Sequence, residues 1–448
     1  MSELENRGGA PGPQFLVGQS RTVDGMAGLA HARNAPFDPI GASPATGRFL
    51  RILLMLAVFF CGYAELRVGG INLTLSDILL SIAMVVLLYR GMIERQPFGK
   101  LTPFWFLGLG LMLLGLLIGS VVNGSVDRWV IVGAQYLFAF LLVPMVIMGQ
   151  PAALTRMFPA LFVLGVTISQ LIGVSASLLF EPQDIIAVMG TDFVTGNGRV
   201  GALSGGPNAN GALIAFALPM LLYSVQNRTM PLWIGIVCGV ILFWGSLATG
   251  SFTGFAASMI ALGIFLAVSG IWLFIRAAIL GAIVLGLFLA SDLPVPTVFE
   301  ERVAGALTTG DLNQAGTYTG RAELIDEAWE MADDNVLVGL GVDQFRQKSS
   351  YGAPVHELHL LVWNEGGIVG FAGLVILLLT MVASGVAALS RMRSEGAMIL
   401  AVVAVFNVYT VSIPHMYART WVLPVLLAMG TFFAIRQTMQ ADDRNPRW

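Results

Sequence analysis

Apolar runs close to the length of a membrane crossing recur from about Phe49 almost to the C-terminal end of the chain, and that repetition leaves few folds open. About 20 residues at 1.5 Å rise each traverse the ~30 Å hydrocarbon core of a bilayer. Charged residues make up 11% of the 448 positions and hydrophobic residues 56%, whereas a soluble domain carries roughly 25% charged residues. Charge this sparse cannot cover a water-facing surface. With no water in lipid to satisfy the backbone, the expectation is an all-α polytopic membrane protein. The formal net charge of −3, with no basic stripe, argues against nucleic acid as a partner. Cys61 and Cys238 both fall inside apolar runs, which argues against a disulfide framework and a thiolate metal site.

Hydropathy and turn signals place about 12 transmembrane helices near 49–66, 74–89, 103–122, 129–148, 155–179, 208–225, 231–247, 253–270, 276–290, 358–388, 397–413 and 420–436. The run from Leu358 exceeds one crossing, so it should tilt or begin outside the core. Residues 1–47 are Gly-, Pro- and Asn-rich and read as a disordered cytoplasmic tail. No continuous apolar h-region precedes the first span, which should therefore be retained as an anchor. The organisation expected is helices 1–9 in 48–290, one large outer loop in 291–357, helices 10–12 in 358–436, and a cytoplasmic tail in 437–448. Loops on the tail's side would carry Arg90, Arg95, Lys100, Arg156, Arg228, Arg276, Arg391 and Arg393. The opposite loops would carry Arg67, Arg128, Arg199 and Arg419. That bias puts both termini in the cytoplasm and Ser291 to Glu357 outside.

The outer loop is where water-facing chemistry belongs, and it carries Arg302, Arg321 and His356. Leu324, Ile325, Ala328, Trp329 and Met331 recur at helical spacing, with Glu323, Asp326, Glu327, Glu330 and Asp333 between them. This predicts an amphipathic helix lying on the membrane body, with Thr319 as its N-cap. A cation at Arg321, in the first turn, opposes the helix dipole. A bound phosphate would relieve that conflict; pairing with Glu323 would do so equally. Arg199, in the glycine-rich Thr195-Gly196-Asn197-Gly198-Arg199-Val200-Gly201, offers the same choice between an anion and a tight turn. Asn208 and Asn210 follow at the mouth of a span, where capping is the simpler role.

His356 can hold or release a proton near neutral pH, which suits a general base acting on a sugar hydroxyl. His359 follows three residues later. The His-Glu-Leu-His spacing is one residue short of HExxH and has no evident third ligand, so no metal is expected. Asp77 and Glu365 stand at span ends or edges, where a carboxylate is solvated or capped. They do not form the chain of intramembrane acids expected of a proton-driven pump.

The run His356-Glu357-Leu358-His359-Leu360, followed by Glu365-Gly366-Gly367-Ile368-Val369-Gly370, resembles the His-Asn-x-aromatic-Leu…Glu-x-Gly-Ile-x-Gly signature of the O-antigen ligase and polymerase superfamily. Thr319-Gly320-Arg321 is similar to its Thr-Gly-Arg motif, and Gly339-Leu340-Gly341 with Phe345 to its Gly-x-Gly…Phe turn. Arg199, Gly201 and Pro207-Asn208-Ala209-Asn210 resemble its upstream Arg-x-x-Gly…Pro-Asn element. The resemblance spans roughly residues 50–436. Two positions depart from it: Glu357 replaces an Asn, and Ser251-Phe252-Thr253 stands where many members carry a Ser-Arg pair.

The resemblance implies a GT-C-like glycosyltransferase of the bacterial inner membrane with a periplasmic active site. It would take a glycan from undecaprenyl diphosphate, with inversion and without cofactor or metal. Arg199 and Arg321 would hold the diphosphate, His356 would serve the acceptor hydroxyl, and Asn208, Arg302 and His359 are candidate supporting residues. The partners implied are the lipid-linked oligosaccharide, a glycan acceptor (lipid-linked glycan or lipid A-core), membrane lipid, and polysaccharide assembly proteins. An exopolysaccharide or O-antigen polymerase is the first reading and a ligase to lipid A-core the second. A transporter or flippase of lipid-linked sugars is the third.

Overall fold

The computed structural model describes residues 44–64, 73–272, 274–276, 278–279, 286, 295–316 and 318–444. Among them the regular elements are helical, apart from one isolated bridge between Val194 and Val200. The main helices are α1 (Pro44–Phe59), α2 (Leu75–Tyr89), α3 (Thr102–Asn123), α4 (Val126–Leu137, carried on through a π turn to Ile147), α5 (Phe158–Leu179) and α6 (Pro207–Gln226). There follow α7 (Leu232–Thr249), α8 (Phe252–Ser269), α9 (Tyr318–Asp334), α10 (Leu358–Leu389), α11 (Arg393–Thr410) and α12 (Arg419–Arg444).

Eight of these, α3 to α8, α10 and α12, contain stretches long and apolar enough to cross a membrane; α2 is apolar but shorter. The protein is an all-α polytopic membrane protein. Every run expected as a span coincides with a helix except 276–290, most of which lies outside the described residues. Most of the expected N-terminal tail, residues 1–43, lies outside them too, as do 445–448. Helix α1 already starts at Pro44, and α12 runs on to Arg444 through residues expected as tail.

The packing is inverted relative to a soluble protein. On α3, Trp105, Met112 and Leu116 are buried, while Phe104, Leu107, Leu114 and Val121 are exposed. An apolar face left open along a helix is the face that meets lipid. Without a hydrophobic drive between helices in lipid, close backbone approach does the packing, and small residues permit it. The pair α3 and α10 is the clearest case. A Cβ built on Gly115 would collide with the Gly370 backbone, one on Gly119 with the Glu365 carbonyl, and one on Gly373 with Met112 N.

Helix α10 is continuous in sequence but not in geometry. Gly367 sits at φ 60°, ψ −167°, a left-handed break that a side chain would resist. Ile368 N donates to Val336 O at 2.9 Å, Leu340 N to Asn364 O at 2.7 Å, and Gly341 N to Glu365 O at 3.0 Å. The segment 336–341 therefore clips onto the break and takes up the backbone groups it frees. Trp363 and Phe371, eight positions apart, come to 4.8 Å between ring centroids because of this bend. The run beyond the break, about 22 residues, still spans ~33 Å at 1.5 Å each. Leu358–Gly366 is thus a separate short helix, which accounts for the excess length of the run.

Helix starts follow local chemistry. Thr74 and Asp77 form a capping box, and Ser251 Oγ accepts from Gly254 N at 3.2 Å. Asp77 is capped but not solvated: it is fully buried and pairs with Arg419, tying α2 to α12. Glu365 is also buried, at 3% exposure.

Candidate active site

The Arg199 loop is a tight turn held from several sides. Thr195 N donates to Arg199 O and Arg199 N to Thr195 Oγ1, both at 3.0 Å, while Val200 N donates to Ala248 O at 2.9 Å. Asn210 braces it from α6: its Nδ2 donates to Val200 O and to Gln170 Oε1, each 3.0 Å, and its Oδ1 accepts from Gln170 Nε2. Asn208 and Asn210 do not cap α6. Gly206, at φ 130°, occupies the cap position, and no side chain caps the helix. Asn208 instead takes the Arg199 guanidinium, Nη2 to Oδ1 at 2.8 Å, while Arg199 Nε donates to Thr249 O at 2.9 Å. Ser251 Oγ also donates to Asn208 Oδ1 at 3.3 Å, and the Tyr409 hydroxyl donates to its carbonyl at 3.3 Å.

Helix α9 lies on the body as the periodicity predicts. Leu324 and Ala328 join Phe345, Val355, Leu360 and Leu361 in a small core, with Ile325 and Met331 packed against it. Trp329 departs from the expected face and is 52% exposed. The helix already includes Tyr318, so Thr319 lies inside it rather than at the cap. Glu327 fastens α9 to the following loop by accepting from Ser349 Oγ (2.6 Å) and Ser350 N (2.7 Å). Glu323 accepts from the Tyr351 hydroxyl at 2.8 Å. Arg321 forms no ion pair with Glu323 or with any other acid among the described residues.

One cavity of about 780 Å³ collects these side chains. Arg199, Asn208, Arg302, Arg321 and His356 all line it, together with Ser251, Phe252, Thr253, Ile325, Asp326, Val411 and Ser412. Its volume suits a small-molecule group. Arg302 arrives from the segment between α8 and α9: its Nε donates to Gly250 O at 3.3 Å, and its guanidinium packs against Gly316. Neighbouring charge and burial weaken the hold of Arg199 and Arg302 on their protons. The Arg199 pKa is drawn down to about 10, chiefly by burial and then by Arg302 and Arg321, and Arg302 is lowered by burial and then by Arg321. Three guanidinium groups line the cavity with Asp326 as the one acid among its lining residues, so it is a concentrated positive site.

His356 sits in the loop just before α10, behind the buried Val355. Burial, and secondarily the charge of Arg321, pulls its pKa below the ordinary value, which keeps the imidazole neutral at pH 7. His359 does not join this cavity. Its Nδ1 lies 2.6 Å from Glu357 Oε1, and both residues line a second cavity. Glu357 also caps α10 through Leu360 N, which is what the departure from Asn does locally. Among the described residues no three His, Cys, Asp or Glu side chains gather as a metal site would require.

Residues 237–375 match the family described as O-Antigen ligase (Wzy_C). Over that segment the chain is similar to the O-antigen ligase family, which supports the O-antigen ligase and polymerase superfamily. The matched segment runs from within α7 to within α10 and contains Ser251, Arg302, Arg321 and His356; Arg199 and Asn208 precede it. No curated protein matches the chain. The match supports a role for this membrane protein in glycan ligation or polymerisation.

Sequence reasoning had singled out all the arginines of the cavity, Asn208 and His356. It missed Ile325 as a wall residue, although its i+4 spacing from Arg321 puts it on the same side of α9, and it missed Asp326, for which the i+5 spacing gives no such signal. Val411 and Ser412 carried no sequence signal; they line the cavity because the end of α11 reaches α6 and α8.

Proposed function

We propose that the protein is a glycosyltransferase that polymerises an exopolysaccharide or O-antigen from an undecaprenyl-diphosphate-linked donor at the periplasmic face of the inner membrane. The observation that carries this reading is the meeting of Arg199, Arg302, Arg321 and His356 in one cavity. Like charges this close, with one acid among them, are balanced by a polyanion such as a diphosphate, and guanidinium forks match phosphate oxygens.

In this reading the donor diphosphate lies among the arginines and its lipid tail between helices. The acceptor hydroxyl gives its proton to an unprotonated ring nitrogen of His356 as its oxygen attacks the anomeric carbon. The bond from that carbon to the diphosphate breaks on the opposite face, so configuration inverts. The leaving diphosphate takes the electron pair, and its growing charge is stabilised by the arginines, which removes any need for a metal. GT-C-like architecture and cytoplasmic termini belong to the same proposal.

The test is an assay of purified protein with matched lipid-linked repeat units. A ladder of lengthened lipid-linked chains is expected. Transfer of chains of unchanged length to lipid A-core would replace polymerase by ligase. Movement of donor across the bilayer with its sugar–diphosphate bond intact would make the protein a transporter.

A further inference from the structure

The cationic cavity has a smaller neighbour of about 290 Å³, walled by Ile325, Trp329, Leu360, Trp363 and Phe371. Its two ionisable lining residues are turned on each other and on the backbone: Glu357 Oε1 lies 2.6 Å from His359 Nδ1, and Glu357 Oε2 accepts from Leu360 N. Trp363 Nε1 is buried and inaccessible, so that indole meets the cavity through carbon. The break at Gly367 makes the site. Trp363 and Phe371 would stand ~12 Å apart along a straight helix, and the bend brings their ring centroids to 4.8 Å. Trp329 completes the aromatic wall, edge-on to Trp363 at 6.4 Å.

Two elements run from one cavity into the other, and both change character on the way. On α9, Arg321 lines the first cavity, Ile325 lines both and Trp329 lines the second. These positions, i, i+4 and i+8, share a helix face and cover ~12 Å. Along the chain into α10, His356 lines the first cavity, and Leu360 and Trp363 line the second. Charge gives way to aromatic carbon over about two helical turns. Past Phe371 the apolar surface continues. Ile368, one turn away on the same face, is exposed, and so is Leu337, next to the Val336 whose carbonyl accepts from Ile368 N. The run of α10 that follows is apolar and long enough to cross a membrane.

A ligand that matches this order has a multiply anionic head and a flexible apolar chain. Three guanidinium groups beside one acid match a diphosphate better than the single phosphate of a bilayer phospholipid. We propose that the small cavity binds the first isoprene units of the donor's polyprenyl chain and so leads the lipid out of the cationic cavity between α9 and α10. The proposal rests on the glycosyltransferase reading above for the identity of the donor.

The experiment uses the full-length protein in vesicles of phosphatidylethanolamine and phosphatidylglycerol. A lipid-linked donor carrying a diazirine on its second isoprene unit should, on irradiation, label the peptides that contain Trp329, Trp363 and Phe371. Excess unmodified donor should remove the label. Trp329→Ala should raise the donor KM about tenfold, the scale of about two methylene groups no longer buried, with the acceptor KM unchanged. Trp329→Phe should recover most of the loss. For a donor whose polyprenyl chain is replaced by a methyl group, wild type and Trp329→Ala should not differ. An unchanged KM for the full donor, or an equal shift with the methyl donor, overturns the proposal. So does a phospholipid with the diazirine on its acyl chain that labels the same peptides and resists displacement by donor, which would assign the cavity to bilayer lipid. A rise in the acceptor KM alone would assign it to the acceptor's chain and overturn the proposal as well. Donor labelling here in a protein that transfers no glycan would leave this site standing and defeat the reaction assigned above. Glycan transfer with the label elsewhere would do the reverse.

Discussion

Arg199 Nη2 donates to Asn208 Oδ1 at 2.8 Å, and this bond aims the guanidinium while Nε is held by Thr249 O. The two residues come from a loop and from the first turn of α6, so Asn208 fixes the orientation of a cation that its own turn cannot orient.

Asn208→Ala should therefore weaken donor binding about tenfold, the scale of a hydrogen bond to a charged group. Asn208→Asp should weaken it further, because a carboxylate would pair with Arg199 and compete with phosphate. Donor affinity measured on purified protein checks both. Equal affinity in wild type and Asn208→Asp would rule out Arg199 as a phosphate ligand.

His356 gives a pH prediction. A base must be unprotonated, and burial together with Arg321 lowers the His356 pKa below 6.5. Activity should hold through neutral pH and fall only below that lowered pKa. Arg321→Gln removes the second cause, so the residual activity should lose its acid limb at a higher pH than wild type does. Arg321→Lys retains the charge and should leave the limb in place, though the planar fork is lost and turnover should drop about a hundredfold. The pH dependence of kcat/KM for the three proteins is the measurement; identical acid limbs in wild type and Arg321→Gln would refute the coupling.

These residues were legible because lipid leaves charge so few places to be. Once the apolar runs are set aside, Arg199, Arg302, Arg321 and His356 stand out by type alone. Their convergence was not legible, because it depends on a small core of Leu324, Ala328, Phe345 and Val355 that draws together residues from α9, the following loop and the start of α10. Asn208 looked like a cap because its type and position allow it; Gly206, in a conformation closed to other residues, holds that place instead. The break at Gly367 was hidden inside a continuous apolar run. Hydropathy reports burial in lipid and is blind to a backbone reversal that the 336–341 segment satisfies through hydrogen bonds.

The glycines between α3 and α10 predict a sharp contrast in stability. Gly115→Ala places a methyl into the Gly370 backbone, where no side chain can yield, whereas Gly110 on the same helix has nothing within 4 Å. Gly115→Ala should cost about 3 kcal/mol or more through overpacking, and Gly110→Ala should be neutral or slightly stabilising through helix propensity. Thermal unfolding in detergent separates them. Similar midpoints would mean that the two helices are not in backbone contact.

Asp77 and Arg419 predict a non-additive pair. Both are nearly inaccessible, Asp77 at 0% and Arg419 at 7% exposure, and Arg419 Nε donates to Asp77 Oδ1 at 2.6 Å. Asp77 is also the acceptor for Thr74 N at 2.8 Å, so one carboxylate serves both the start of α2 and the union of α2 with α12. The guanidinium lies over the Phe138 ring at 5.7 Å, which links α4 to the same point. Arg419→Met would strand a buried carboxylate and should destabilise by about 3–5 kcal/mol. Asp77→Asn alone keeps an acceptor for Thr74 but strands the cation, and should cost a similar amount. The double variant removes both charges while retaining the capping acceptor, so it should recover most of the loss, because the desolvation of each ion is then avoided. Thermal midpoints of the four proteins close the cycle. A double variant as unstable as the sum of the singles would show that the two residues act independently and that α2 and α12 are joined by other contacts.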